Sequence, residues 1–379
     1  EFNIEFCSPE YGDGELVSLK KALASGKLEG GGLYNKKCEA LIKQTLSSHS
    51  VLMTPSCTAS LEMMALVLDL KAGDEIIMPD FTFVSTANAF ALRGATPVFV
   101  DIDPNTLNID LAAAATAITP KTKAIIAVHY AGVACDMGAL LNLCDSANIV
   151  LLEDAAQAYG ASYKDTPLGS LGSMGAFSFH HTKNISCGEG GAISVNVPDY
   201  ASPIEWIQEK GTDRASFKRR ETIKYEWTCL GSSYLMSELA AAVLSEQIKH
   251  SEKINAKRLK IWQQYADNLA GCSGLQLPSI PDYARHNAHI FHIRVPCQVL
   301  RTSLISELRN DGIIAASHYI PLHKTLGGRR YSKVSGTLQN TIEVSETLLR
   351  LPLHTKITDA QIELVTGRVI EFCDRHKLN

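Results

Sequence analysis

Five apolar runs, at about residues 51–54, 75–78, 97–100, 124–129 and 149–152, alternate with helical stretches near 58–70, 84–93, 109–117 and 137–147. Strand and helix taking turns at this spacing leaves few solutions, because strands this apolar need helices over both of their faces. The alternation predicts an α/β fold: a large, mostly parallel sheet flanked by helices, with its ligands held outside the carboxyl ends of the strands. After about residue 200 the pattern changes to a charged loop, 210–224, then helices around 236–249 and 252–270. The first of these helices is placed to line a subunit boundary, and the second reads as a link. The Pro/Gly-bearing passage 271–282 marks a boundary. An alternating strand at 289–295, a helix near 300–311, a strand at 313–319 and two later helices then suggest a small α+β domain. The expected division is 1–250 for a large α/β domain and 251–379 for the linker helix and the small C-terminal domain, which suits a chain of 379 residues.

Three segments at the expected strand ends carry chemistry. In the first, Gly175-Ala176-Phe177-Ser178-Phe179-His180 and Gly191-Ala192-Ile193-Ser194-Val195 alternate as a strand pair, and Lys183 stands in the connection with Gly188, Glu189 and Gly190. A lysine held in a cleft acts as a covalent catalyst toward an aldehyde; alone, it reads first as a solvated surface residue, and the partners below reverse that. In the second, the run Ile149-Val150-Leu151-Leu152 ends in Glu153 and Asp154, with Gln157 three residues on. Asp154 suits a salt bridge to a protonated pyridine nitrogen, and its competing role is a helix N-cap. Gln157 suits a hydrogen bond to a ring oxygen if the chain turns helical there. In the third, Thr54-Pro55-Ser56-Cys57-Thr58-Ala59-Ser60 lies between a short strand and an Ala/Met/Leu-rich helix. Free amides at such a helix start hold a phosphate dianion, with Cys57 and Thr58 as the contacts and the Ser178 hydroxyl closing the cup. Taken separately, Ser and Thr here are ordinary caps. Phe83, after the strand at 75–78, offers an aromatic face to a ring or simply packs in the core. Lysine, carboxylate, phosphate cup and aromatic face together read as a site for pyridoxal 5′-phosphate (PLP), with Lys183 as catalytic residue and Cys57, Thr58, Phe83, Asp154, Gln157 and Ser178 as cofactor contacts.

These residues carry a resemblance. The chain resembles the DegT/DnrJ-type nucleotide-sugar aminotransferases over nearly its whole length, through segments 54–62, 78–90, 128–135 (VHYAGVAC), 153–157, 178–191 and 318–323 (HYIPLH). The resemblance implies fold type I, a covalent link from Lys183 to PLP, and glutamate-dependent amination of a dTDP-4-keto-6-deoxy-sugar. It also implies a homodimer with active sites at the shared boundary. Many relatives carry an asparagine in a G-x-N-x-R-M-S segment that reaches the partner's phosphate; here Gly231-Ser232-Ser233-Tyr234-Leu235-Met236-Ser237 puts Ser233 at that place and Leu235 at the arginine position. Ser233 is carried over as a cross-subunit phosphate contact. Family members that act as dehydratases replace the lysine with histidine, so Lys183 favours transamination, and His180 is expected to pack under the cofactor. For the nucleotide sugar the nominations are Tyr319 and His323 from HYIPLH, with Lys210 and Arg214 as phosphate partners; each reads equally as a strand-end residue or a solvated charge. No arginine announces itself as the clamp for the donor's carboxylate.

Composition removes other classes. A formal net charge of −4 gives no electrostatic case for nucleic acid. Ten cysteines are scattered without a C-x-x-C pair, so reduced thiols in a cytoplasmic protein are expected rather than disulfides, a redox pair or zinc. No apolar run approaches a membrane span, and the histidines show no metal-ligand spacing, so neither membrane nor metal is expected.

Overall fold

The computed structural model describes residues 4–378. Its centre is a sheet of eight strands: β1 (Ser50–Thr54), β2 (Glu75–Pro79), β3 (Thr96–Val100), β4 (Thr122–Val128), β5 (Val150–Asp154), β6 (Met174–Ser178), β7 (Gly191–Val195) and β8 (Lys333–Val334). The spatial order is β1-β7-β6-β5-β4-β2-β3-β8. From β6 to β8 every neighbouring pair is parallel, while β7 runs antiparallel to both β6 and β1. Lys183 lies in the β6–β7 connection, as the alternation on either side of it predicted.

The sheet is buried on both faces. Side chains alternate across a strand, so Ile77, Ile125, Leu151 and Phe177 enter one apolar cluster and Ile76, Met78, Ile126, Leu152 and Ala176 the other. The crossover helices start at hydroxyl or carboxylate caps that occupy orphan amides: Ser56 for Cys57–Val67, Asp110 for Leu111–Thr116 and Asp136 for Met137–Ala147. Two N-terminal helices, Asp13–Ser25 and Leu33–Leu46, were not assigned from sequence. Both pack on Glu238–Lys249, so that helix, expected at a subunit boundary, is covered by the chain's own N-terminus. Its first residue, Glu238, accepts hydrogen bonds from the Tyr34 and Asn35 amides at 2.8 and 2.9 Å, capping the second helix from a distance in sequence.

A third apolar cluster gathers Ile4 with residues of helices Ser251–Leu269, Gln298–Asn310 and Asp359–Arg375 around a small sheet of Phe291–Arg294, Leu348–Leu351 and Ala316–Ser317. The strand expected at 313–319 shrinks to Ala316–Ser317; His318 and Tyr319 leave the sheet and turn into a cavity below the large one. The chain then returns to the large sheet, where β8 pairs with β3, so residues 333–334 lie beyond the expected division at 250.

Candidate active site

Strand polarity brings the carboxyl ends of β4, β5 and β6 to one edge of the sheet, and a cavity of about 670 Å³ opens there. Asp154, the last residue of β5, is buried in its wall. Its Oδ2 accepts from Thr86 Oγ1 at 2.7 Å and its Oδ1 from the Ala156 amide at 3.1 Å; Thr82 Oγ1 stands 2.9 Å behind Thr86. These donors fix the orientation of the carboxylate. Glu153 faces the opposite way, as strand alternation requires, and accepts from the amides of Gly169, Leu171 and Gly172 at 2.6–2.8 Å. Its fourth donor is His129 Nε2 at 3.0 Å. The Cys135 amide donates to Nδ1 of the same ring, which leaves Nε2 as its protonated nitrogen. Of the two carboxylates in the run, one is thus consumed by the scaffold and one faces the cavity.

The β6–β7 connection is tied down by its own backbone. Phe179 donates to Gly190, His181 to Gly188, Lys183 to His180 and Cys187 to Phe179, all at 2.8–3.0 Å. Gly188 takes φ +87°, which a side chain would strain, and a Cβ on Gly191 would come within 2.4 Å of the Ser56 carbonyl carbon. That close approach seats the start of helix Cys57–Val67 against β7. Lys183 is half-buried and lines the cavity with Cys57 and Asp154. Burial drives its pKa below the ordinary amine value, partly opposed by Cys57 and Asp154. The Cys57 thiol is pushed well up by burial and then by Asp154, so it remains neutral.

At the helix start, Ser56 Oγ accepts from the Ala59 amide at 3.1 Å, while the Cys57 and Thr58 amides precede the first intrahelical bond and point along the axis. Thr58 Oγ1 bonds Ser85 Oγ at 2.8 Å. Ser178 is buried at the end of β6 and lines the same cavity. Gln157 is oriented: its Oε1 accepts from the Ala131 amide at 2.7 Å, so the amide NH₂ is the free end, and it donates to Tyr319 Oη at 3.1 Å. Phe83 stands at the cavity wall with 57% of its surface exposed, a flat face not consumed by core packing.

A family model for the DegT/DnrJ/EryC1/StrS aminotransferase family matches residues 9–370. The chain belongs to this family. The uncharacterized protein MJ1066 of Methanocaldococcus jannaschii is 35% identical over 353 residues, 90% of each chain. The aminotransferase TlmJ of Streptoalloteichus hindustanus superposes with a TM-score of 0.91 at 29% identity, covering 99% of this chain and 100% of the other. A putative sugar aminotransferase of Streptococcus pneumoniae in its PLP form gives 0.92 at 25% identity, with 99% of each chain covered.

The aminotransferase uses PLP, and the residues at the cavity fit it. A buried carboxylate with donors on both oxygens, an amine of lowered pKa, free helix-start amides and an open aromatic face share one space of suitable size. Cys57, Thr58, Phe83, Asp154, Gln157, Ser178, Lys183 and Tyr319 all line it. His180 lines it too, held by Thr182 Oγ1 at 2.9 Å and His181 at 3.1 Å. Other nominations fall outside the cavity of this chain. His323 is taken by Asp80, 2.6 Å from its Nδ1. Lys210 is exposed, with its amide on the Ser232 carbonyl, and Arg214 pairs with Glu209 at 3.4 Å. Ser233 is exposed and bridges Glu209. The sequence reading missed Arg258, His289, His318 and Arg350, which also line the cavity. For Arg350 a signal existed: a lone arginine in the apolar strand Leu348–Leu351 is costly unless it serves something. Arg258 sits in the polar helix Ser251–Leu269 and carried no such sign.

Proposed function

We propose that this aminotransferase moves the amino group of L-glutamate to C4 of a dTDP-4-keto-6-deoxy-hexose, giving dTDP-4-amino-4,6-dideoxygalactose for a cell-surface polysaccharide such as lipopolysaccharide. The observation that carries the reading is Lys183 facing Asp154 and the Cys57 helix start across one cavity. Bound PLP supplies an aldehyde and an electron-withdrawing ring. Lys183 would hold that aldehyde and carry the donor's Cα proton at its Nζ, and burial, which lowers its pKa from the ordinary amine value, favours the neutral amine that both roles need. Asp154 would pair with the ring nitrogen and keep its proton there, with Thr86 and the Ala156 amide keeping the carboxylate in place. The Cys57 and Thr58 amides with Ser178 would hold the phosphate, Gln157 would donate to the ring oxygen, and Phe83 would cover a ring face.

The reading includes a homodimer acting in the cytoplasm. Exposed Leu92 and Leu230, which line one surface hollow with Ser232 and Tyr234, support a face that a second copy covers, with the neighbouring Ser233 as the phosphate contact lent across it. No helix among the described residues is long and apolar enough to cross a membrane. Product NMR after incubation with glutamate and dTDP-4-keto-6-deoxyglucose tests the proposal. An axial C4 amine is expected; an equatorial amine or a C3 amine replaces it with the gluco epimer or a 3-amino sugar, and no amine transfer leaves a sensor built on the same scaffold.

A further inference from the structure

Two strands of the large sheet are followed by buried aspartates that reach into the C-terminal part. Asp101, after β3, accepts the Asn340 and Thr341 amides at 2.9 and 2.8 Å and the Thr341 hydroxyl at 2.9 Å, and so anchors the start of helix Gln339–Thr347. Asp80, after β2, has none of its surface exposed. Its Oδ1 accepts the His323 amide at 2.8 Å, its Oδ2 lies 2.6 Å from His323 Nδ1, and its carbonyl accepts the Leu322 amide at 3.4 Å. A buried carboxylate is unfavourable unless its hydrogen bonds are made, so the turn Leu322–Lys324 is held where Asp80 needs it. Leu322 adds its side chain to the apolar cluster on one face of the large sheet.

The two anchors differ in what they hold. The turn at 322–324 closes a span that leaves the small sheet at Ser317 and carries His318 and Tyr319 into the cavity wall. Tyr319 Oη accepts from Gln157 Nε2 at 3.1 Å, and its ring centroid lies 5.5 Å from that of Phe81 and 6.4 Å from that of Phe83. His318 Nδ1 stands 3.0 Å from the Tyr130 hydroxyl. An amide NH₂ has two hydrogens, so Tyr319 fixes one and thereby aims the other. Neither Asp80 nor His323 lines the cavity, so whatever they do for the site they do through this span. Resting on the cofactor contacts given above, we propose that Asp80 is a positioning residue: through His323 it pins the span that begins at Ser317, so that Tyr319 holds the Gln157 amide toward the ring oxygen of the cofactor. Without the anchor the span is tied only to the small sheet, and the amide loses one of its two fixed partners.

Asp80→Ala tests this without stranding a buried charge, because the His323 side chain is 20% exposed and water can take it over. In hydrogen exchange on the holoenzyme, amides of 318–325 are expected to exchange roughly tenfold faster while those of β4 to β6 keep their protection. The visible band of the bound cofactor is expected to shift, and the rate of its amination by saturating glutamate to fall roughly tenfold, with the half-saturating glutamate concentration within about twofold of wild type. Asp101→Ala removes the other anchor and is the control: melting temperature falls, while band and rate stay. His323→Asn keeps a donor at the place of Nδ1 and should restore the wild-type exchange, band and rate. Unchanged exchange at 318–325, faster exchange with band and rate unaltered, or equal effects from Asp101→Ala overturns the proposal. If Asp80→Ala fails to retain cofactor, His323→Ala is read beside His323→Asn: the first must reproduce the loss and the second must not. If wild-type enzyme transfers nothing from glutamate or to the dTDP-sugar, the donor or sugar assignment fails, and exchange and visible band still decide the role of Asp80.

Discussion

At the scale of single residues, the proposed site depends on two titratable groups, Lys183 and Asp154. Lys183→Ala removes both tether and base, so the visible absorption of bound cofactor and all turnover should disappear; retained turnover would refute the role. Asp154 depends on Thr86, whose hydroxyl donates to it at 2.7 Å and is itself backed by Thr82. Thr86→Val keeps the volume and deletes the donor, so cofactor affinity measured by absorbance titration should weaken by about 1–2 kcal/mol, roughly tenfold. An unchanged dissociation constant would show that the Ala156 amide suffices. Lys183, Asp154, Gln157 and Cys57 could be singled out from sequence because each sits at a short offset from a strand end, and the structure brings all four to one cavity. The arrangement of their neighbours was not: nothing in the linear order says that Thr86 meets Asp154, 68 residues away.

At the scale of elements, the site exists because helix Cys57–Val67 is pressed onto β7 where Gly191 has no side chain. Gly191→Ala brings a methyl onto the Ser56 and Cys57 backbone, so the helix start must move; the expected result is a loss of cofactor affinity larger than the loss of thermal stability, read by titration and by melting. A fall in melting temperature with cofactor affinity intact would place the glycine's role in packing alone. Glu238 is the corresponding element on the far side. Glu238→Ala leaves the Tyr34 and Asn35 amides and Asn35 Nδ2 without their acceptor in a buried place, and should cost about 2–4 kcal/mol in chemical unfolding without changing cofactor binding. Most helices and strands of the large sheet were readable, since apolar runs of strand length between capped helices have one solution. The N-terminal helices were not read, because their burial comes from Glu238–Lys249, far along the chain, rather than from a clear apolar stripe of their own.

Across the whole molecule, the C-terminal part buries groups that titrate. Burial holds His292 at a pKa of about 3 and His286 at about 4, both below the ordinary 6.5, so both are neutral when folded and charge on unfolding in acid. A depressed folded value means that their stabilisation is complete above about pH 6.5 and is lost as pH falls from there toward the folded values. Between pH 7 and about pH 5, His292 alone should account for about 1–2 kcal/mol of lost stability. His292→Asn, which cannot charge, should flatten the dependence of the urea midpoint on pH over that window. An unaltered slope would show that other groups govern acid unfolding.

The chain's linear order was enough to determine the α/β class, the strand ends and the nature of the cofactor chemistry, because apolar periodicity and local offsets act over a few residues. Only the folded molecule decided which groups share the cavity, that Glu153 serves the scaffold while Asp154 faces the cavity, that His323 belongs to Asp80, and that Arg350 arrives from the small sheet without an ion-pair partner among the described residues. The partners of Glu153 lie 16 to 24 residues away and Asp80 and His323 stand 243 apart; close approach across such separations is set by packing rather than by spacing.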